Sequence, residues 1–515
     1  MLEGVVDHYL QNVTEREFDA PLLALLAASG FFDIHKIHGA YEFGKDFIAK
    51  RQDDGRVRQY SIQSKAGDIN TAAWREIRAQ VDEARYNTIA HPSFDSTMER
   101  VAVLVTTGRL VGGAAPDAQQ YREFLKGRGE IGFDVWDQDL LRQWLVGDPT
   151  CGLAGGLTGD FLAVLGAIDQ GTVNQRQLER HTRTWATAPL PRVAIEVAVV
   201  AERLRENRRS DMAAFAAICA LRAARSQPGA KNAEFFAGLA RQLHAAYGLG
   251  LLEQYRAAIE DPRSLLNEVS PLMPHIVYPI VCLRLVETWG LLALQLGLSE
   301  PERRACAEAV STVLSSQPGV ERPPSDGWAH SVLLGALGSW VVGGQSVERY
   351  LEAVFVWLLD RYEDGWGLPS SEATETEEIE FLVGPPLLHV EKKQRSHSYL
   401  AAVLLDLCVI FGLPRLYEQG VGDLQALGVV PTLLLADESL ARWGAGEFGL
   451  RAITNARYAA KWTDGPPFAQ HHLARVDTID SWDALALSTL PRNRHPFQAI
   501  VDLALAGKIE PSENI

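Results

Sequence analysis

The sequence predicts an α/β domain, a mixed sheet flanked by helices, followed by a large all-α region with the character of helical repeats. Three observations carry this. Apolar residues in positions 1–147 switch repeatedly between helical and strand spacing; a glycine-rich stretch at 148–160, "DPTCGLAGGLTGD", interrupts the pattern; and positions 161–515 keep helical spacing almost throughout. A chain of 515 residues exceeds what one core supports. A weaker division near residue 320 separates two helical lobes.

The first domain reads in order. "TEREFDAPLLALLAASGFF" opens with Thr14 and has Glu17 three residues later, the signature of a capping box, then stops at Gly30. "DIHKIHG" is a short extended piece. "KDFIAKR" and "RQYSIQSKA" flank "QDDGR", whose Asp-Gly predicts a hairpin. "NTAAWREIRAQVDEARYNTIA" is helical up to a turn at His91 and Pro92, "RVAVLVTTG" is a buried strand, "DAQQYREFLKG" a helix, "IGFDVWD" a strand and "QDLLRQWLV" a closing helix. Beyond the boundary, runs such as "DMAAFAAICALRAARS" are rich in alanine and leucine. Two echoes, Asp-Gly-Trp at 326–328 and 364–366 and His-Ser at 330–331 and 397–398, suggest repeated helical hairpins.

Composition narrows the class. With 47% hydrophobic and 22% charged residues the chain is of folded, globular type, and a net charge of −16 excludes a protein that coats nucleic acid over its whole surface, while leaving room for a local basic groove. Five widely spaced cysteines without a CxxC pair argue against zinc and disulfide frameworks. The N-terminus lacks the basic start and apolar run of a signal peptide, and no apolar stretch reaches the roughly 20 residues that span a bilayer. A cytoplasmic protein without membrane partners is expected. "GRLVGGAAPD" lacks the Gly-Lys-Ser/Thr end of a phosphate loop, and the last five of the thirteen histidines, His389, His397, His471, His472 and His495, do not form a helical metal pair.

The chemistry concentrates in the hairpin "GKDFIAKRQDDGRVRQYSIQSKAG". Side chains alternate along a strand, so Gln63 and Lys65 share one face with Ser64 opposite. Asp46 begins the preceding strand, and a register set by the turn at Asp53 to Gly55 brings it beside Gln63. A carboxylate, an amide oxygen and the Ser64 carbonyl form an oxygen-only donor set that suits Mg²⁺ or Mn²⁺. A lysine beside such an ion can orient the attacking water or stabilise charge on a phosphate. The competing reading is an exposed acid–lysine pair, which is common and contributes little. Lys45, Lys50, Arg51, Arg56 and Arg58 cluster around the same hairpin; they suit a phosphate-tracking groove and, equally, the charged edge that keeps a strand from pairing.

Asp46 and Gln63-x-Lys65, with "REFDAPLLALLAASGF", "YEFGKDF", "WREIRAQVDEA", a strand ending "VTTG" and "FDVWDQDLLRQWL" in that chain order, resemble the PD-(D/E)xK nuclease superfamily. More narrowly they resemble its Mrr-type restriction endonuclease branch, in which glutamine replaces the second metal acid. The resemblance covers the first domain and nothing after it. It implies a restriction endonuclease-like sheet, with Asp46 as principal metal carboxylate, Gln63 as the substituted amide and Lys65 as catalytic lysine. Glu17 matches the accessory helix acid, with Asp19 as rival and Glu42 as a further metal ligand, and Gln80 would contact phosphate or brace Lys65. The implied activity is Mg²⁺-dependent hydrolysis of phosphodiesters, of DNA before RNA, as the effector of a bacterial restriction or antiviral system. Control would come from the helical region, a homo-oligomer, or a separately encoded ATPase or sensor protein. Two other readings stay open: a catalytically inactive nucleic-acid-binding or scaffold module, and an RNA-cleaving defence effector.

Overall fold

The computed structural model describes residues 2–37, 44–129, 132–153, 159–269, 274–365, 367–383, 396–436, 439–444, 454–455, 458–462 and 479–509. The chain divides into two compact units, residues 1–165 with 188–200, and residues 166–187 with 201–515. The first unit thus runs past 147: Pro149–Leu153 form a 3-10 turn that buries Cys151 and Leu153.

The first unit begins with a helix the sequence reading left out, α1 (Leu2–Asn12), followed by α2 (Glu15–Ala28). The expected order then appears: β1 (Phe32–Lys36), β2 (Phe47–Asp53), β3 (Arg56–Lys65), α3 (Thr71–Tyr86), β4 (Arg100–Thr106), α4 (Ala114–Gly127), β5 (Gly132–Trp136) and α5 (Gln138–Gly147). The third helix ends at Tyr86 rather than at the His91–Pro92 turn, with Asn87 already extended. The five strands lie in sequence order, β1, β2 and β3 antiparallel, β3, β4 and β5 parallel. Asp53 pairs with Arg56 across a two-residue turn in which Asp54 and Gly55 both have positive φ, 50° and 79°, the geometry that Asp-Gly favours.

Burial explains the strand sequences. Both faces of β3 and β4 are covered, so Gln59–Ser64 and Ala102–Thr106 are buried without alternation. One face packs Ala102 and Leu104 against Trp74, Ile77 and Val81 of α3 and Ala118, Tyr121 and Leu125 of α4. Elsewhere in the unit Phe31 meets the rings of Tyr60 and Trp136 edge-on at 4.9 and 5.7 Å, and Trp136 meets Trp144 of α5 at 5.1 Å.

The second unit is mostly helical, and its described residues include a small sheet of short strands, His397–Ser398, Val430–Leu433 and Thr454–Asn455, that the helical periodicity did not foretell. Its helix Pro274–Ala293 contains an 18-residue window of mean hydropathy 1.6 that passes for a membrane span by length and composition; 72% of that window is buried within the protein, the character of a core helix. The echoes are not structural repeats. Asp326 opens a 3-10 turn and its carboxylate accepts the backbone N–H groups of Tyr399 and Leu400, whereas Asp364 caps the end of a helix. His330 is buried near a helix start and His397 is exposed on a strand. All five cysteines are free and buried.

Candidate functional site

Three neighbouring residues, Gly44, Lys45 and Asp46, set the first half of the site. Gly44 has φ +70° and lies so close to α3 that a Cβ there would stand 2.0 Å from the Gln80 carbonyl oxygen, so only glycine fits. Lys45 is fully buried, and its Nζ donates to the Glu83 carbonyl of α3 at 3.3 Å. Burial, with the Arg100 guanidinium nearby, pushes its ammonium down to about 8. The chain is thereby pinned to α3 on one side, and the Asp46 N–H donates to Ile62 of β3 at 2.8 Å on the other.

Asp46 then meets the residues that the spacing foretells. Its Oδ2 accepts from Gln63 Nε2 at 2.8 Å and from the Ser64 N–H at 2.7 Å. Gln63 and Ser64 are buried, while Lys65 retains 26% exposure, so the polar set runs from the interior of the sheet to its surface at the carboxyl end of β3. The ends of an amide exchange by rotation, and two oxygens on neighbouring vertices of an octahedron with bonds of about 2.0–2.1 Å stand roughly 2.9 Å apart. As placed, the amide presents its nitrogen and the 2.8 Å contact is a hydrogen bond; turned about, it would present its oxygen to Asp46 at that spacing. Among the described residues no group of three His, Cys, Asp or Glu side chains is arranged to hold a metal.

The acid of α2 that lies near Lys65 is Glu15 rather than Glu17. Glu15 Oε1 lies 3.5 Å from Lys65 Nζ. Glu17 is turned back on its own helix: its Oε2 accepts from the Thr14 N–H at 3.0 Å and the Thr14 hydroxyl at 2.8 Å, while Thr14 accepts from the Glu17 N–H. A capping-box acid is committed to the helix start, which corrects the assignment of Glu17 to the site. Asp19 is likewise committed, paired with Lys36. Glu42 lies outside the described residues. The signal against Glu17 was present in the sequence, because the Thr14–Glu17 capping box already gives that carboxylate a partner at the helix start.

The basic hairpin does not form a groove at this site. Lys45 is interior. Lys50 Nζ donates to Asp33 Oδ2 at 2.7 Å, and the Lys50 and His35 contacts hold the Asp33 carboxyl well below the ordinary range. Arg51 bonds Asp53 at 2.7 Å and lies over the Phe31 ring at 4.5 Å; Arg58 pairs with Glu99 at 3.2 Å. Arg56 is exposed, but it begins the strand that Lys65 ends, and nine residues at about 3.3 Å each put the two some 30 Å apart. The Gln80 side chain is exposed, and the contribution visible at this position is its backbone against Gly44.

What holds Lys65 is the interlock of "SKAG" with "VTTG". The Thr107 N–H donates to the Lys65 carbonyl at 3.2 Å, Thr106 Oγ1 donates to the Gly67 carbonyl at 2.6 Å, and the Gly67 N–H donates to Thr107 Oγ1 at 2.9 Å. A Cβ on Gly108 would lie 2.3 Å from the Gly67 carbonyl carbon, so the two loops touch backbone to backbone. No protein-family model, curated protein or solved structure matches the chain.

Proposed function

We propose that the chain is a metal-dependent endonuclease whose first unit hydrolyses phosphodiesters, with DNA as substrate. The observation that carries this reading is the convergence of the Asp46 carboxylate on the Gln63 amide at 2.8 Å and on the Ser64 N–H at 2.7 Å, one residue before a partly exposed lysine at the end of the same strand. The resemblance of these motifs to the Mrr-type nucleases supports it independently of the geometry.

In this reading Asp46 and the Gln63 amide, turned to present its oxygen, would hold Mg²⁺ or Mn²⁺, which would supply Lewis acidity and activation of the attacking water. Lys65, kept at the surface by the Thr106–Gly108 turn, stabilises the charge that builds on the phosphate oxygens, an electrostatic role worth most where the donor is already in place. Glu15 positions the Lys65 ammonium. Glutamine brings no charge, so Asp46 bears more of the ion's affinity than in a site with two acids. The setting that accords with the resemblance is a bacterial restriction or antiviral system, in which the helical unit, a homo-oligomer or a separately encoded partner restrains the nuclease.

The test is cleavage of supercoiled plasmid by the purified full chain in Mg²⁺ or Mn²⁺, beside Asp46→Asn and Lys65→Ala. Loss of nicking in both variants is expected; equal nicking by all three proteins would refute the site. One observation favours the inactive, binding-only reading, namely a site with a single central carboxylate whose Oδ2 already accepts from Gln63 and from the Ser64 N–H. Under that reading the full chain binds DNA without nicking it in either ion.

A further inference from the structure

The hairpin cations that the sequence offered for tracking phosphates are buried, paired, or at the far end of the strands from Lys65. The end that carries Lys65 has cations of its own. Arg16 is exposed and follows Glu15, whose carboxylate lies 3.5 Å from Lys65 Nζ. Arg109 follows the Thr106–Gly108 turn on the parallel neighbour of β3, so it emerges at the same edge of the sheet. Its backbone is fixed twice, its N–H donating to Asp68 Oδ1 at 2.8 Å and its carbonyl accepting from the Ile69 N–H at 2.9 Å, yet its side chain is 51% exposed. The Arg109 guanidinium rests 2.9 Å from Asp139, which Arg142 also binds at 2.7 Å. Arg109 can therefore turn to another anion without leaving Asp139 unpaired.

The geometry points to a nucleic-acid strand crossing the carboxyl ends of β3 and β4, with Arg16 and Arg109 contacting the phosphates that neighbour the one at Lys65. This rests on the reading of Asp46, Gln63 and Lys65 as a phosphodiester site. The contacts are of the backbone-positioning kind, which fix register and carry no base sequence. The local charge says when the strand binds. Lys65 and Arg109 already rest against the carboxylates of Glu15 and Asp139, and a divalent ion at Asp46 would add two positive charges at this end of the sheet.

The test is fluorescence anisotropy of a labelled DNA duplex with the full chain over a salt series, with Ca²⁺ as the hard divalent ion. Arg16→Ala and Arg109→Ala are each expected to weaken binding to the same degree for unrelated sequences and to reduce the salt slope by about one, the loss of one phosphate contact. Arg109→Lys is expected to restore the slope, and Arg56→Ala to leave affinity and slope as in the wild type. Melting curves establish that each variant is folded. The proposal is overturned if Arg16→Ala and Arg109→Ala bind like the wild type, or if Arg56→Ala loses as much as they do. Should those variants bind normally while Asp46→Asn still abolishes nicking, the path is wrong and the site stands; absence of both binding and nicking removes both.

Discussion

Lys45 separates an anchor from a nucleic-acid contact, and its burial fixes the size of the effect. The ammonium is 0% exposed and is brought down from the ordinary 10.5 to about 8 by desolvation, with Arg100 adding to the fall. Between those two values the unfolded chain holds a proton that the folded chain has released, so stability rises with pH across the window from about 8 to 10.5 and is flat below it. At about 1.4 kcal/mol per pH unit the gap corresponds to about 3 kcal/mol. Lys45→Met keeps the apolar stem and removes the charge. It does not orphan the Glu83 carbonyl, which also accepts from the Asn87 N–H at 3.0 Å. Urea unfolding of the wild type and the variant, followed by fluorescence at a series of pH values, should show the variant gaining on the wild type at neutral pH and losing that advantage, by about 3 kcal/mol, as pH climbs through the window. The difference curve isolates Lys45 from other groups that titrate there. Parallel curves, together with weakened DNA binding by the variant, would refute the anchor and return Lys45 to the surface.

Other expectations follow from the same contacts. Glu15→Gln should lower nicking by about 10- to 100-fold through Lys65, as loss of an orienting partner does, whereas Glu17→Ala should cost about 1 kcal/mol of thermal stability through the helix cap and leave nicking per folded molecule unchanged; the reverse pattern would restore Glu17 to the site. Gly108→Ala forces the two touching loops apart, costing about 1–3 kcal/mol in a melting experiment and reducing nicking beyond what that loss explains, because the displaced backbone carries Lys65. In the second unit, Glu287→Ala leaves Arg492, whose guanidinium grips both carboxylate oxygens at 3.1 and 2.7 Å, without its counter-ion. A stability loss of about 3–5 kcal/mol by urea denaturation is expected, and a loss below 1 kcal/mol would show the pair to be solvated.

Much of the first unit was legible because its signals are local. The alternation along β3, the Asp-Gly turn and the parallel strand ending in "VTTG" each depend on residues within one or two elements, and together they bring Asp46 to Gln63. The cations failed for a different reason. Charge in a sequence says nothing about distance or partners: Arg56 and Lys65 belong to one strand yet stand at its opposite ends, and Lys50 and Arg51 find carboxylates in Asp33 and Asp53. Lys45 failed because a buried lysine looks like any other until α3 is seen to pass over it. The capping box that marks the helix start also says that Glu17 is already committed, whereas the approach of Glu15 to Lys65 is a tertiary contact that no local pattern records.

The second unit shows why helical spacing alone stopped short of an architecture. Alanine and leucine at helical intervals give each helix an apolar face, and many such faces pack against one another in more than one register. Buried polar links admit fewer. Asp483 is fully buried and is held by Arg225 at 2.6 Å and Arg241 at 2.7 Å, from two other helices. Asp406 is buried against His495 Nε2 at 2.7 Å and receives the Tyr458 hydroxyl at 2.8 Å, while His495 Nδ1 meets the Tyr399 hydroxyl at 3.1 Å. A shift of one helix by a turn would strip such a carboxylate of its partners inside the protein, at a cost of several kcal/mol. The residues that select the packing are thus the few buried polar ones inside it, linked across 52 to 258 positions of the chain, and no local period records them.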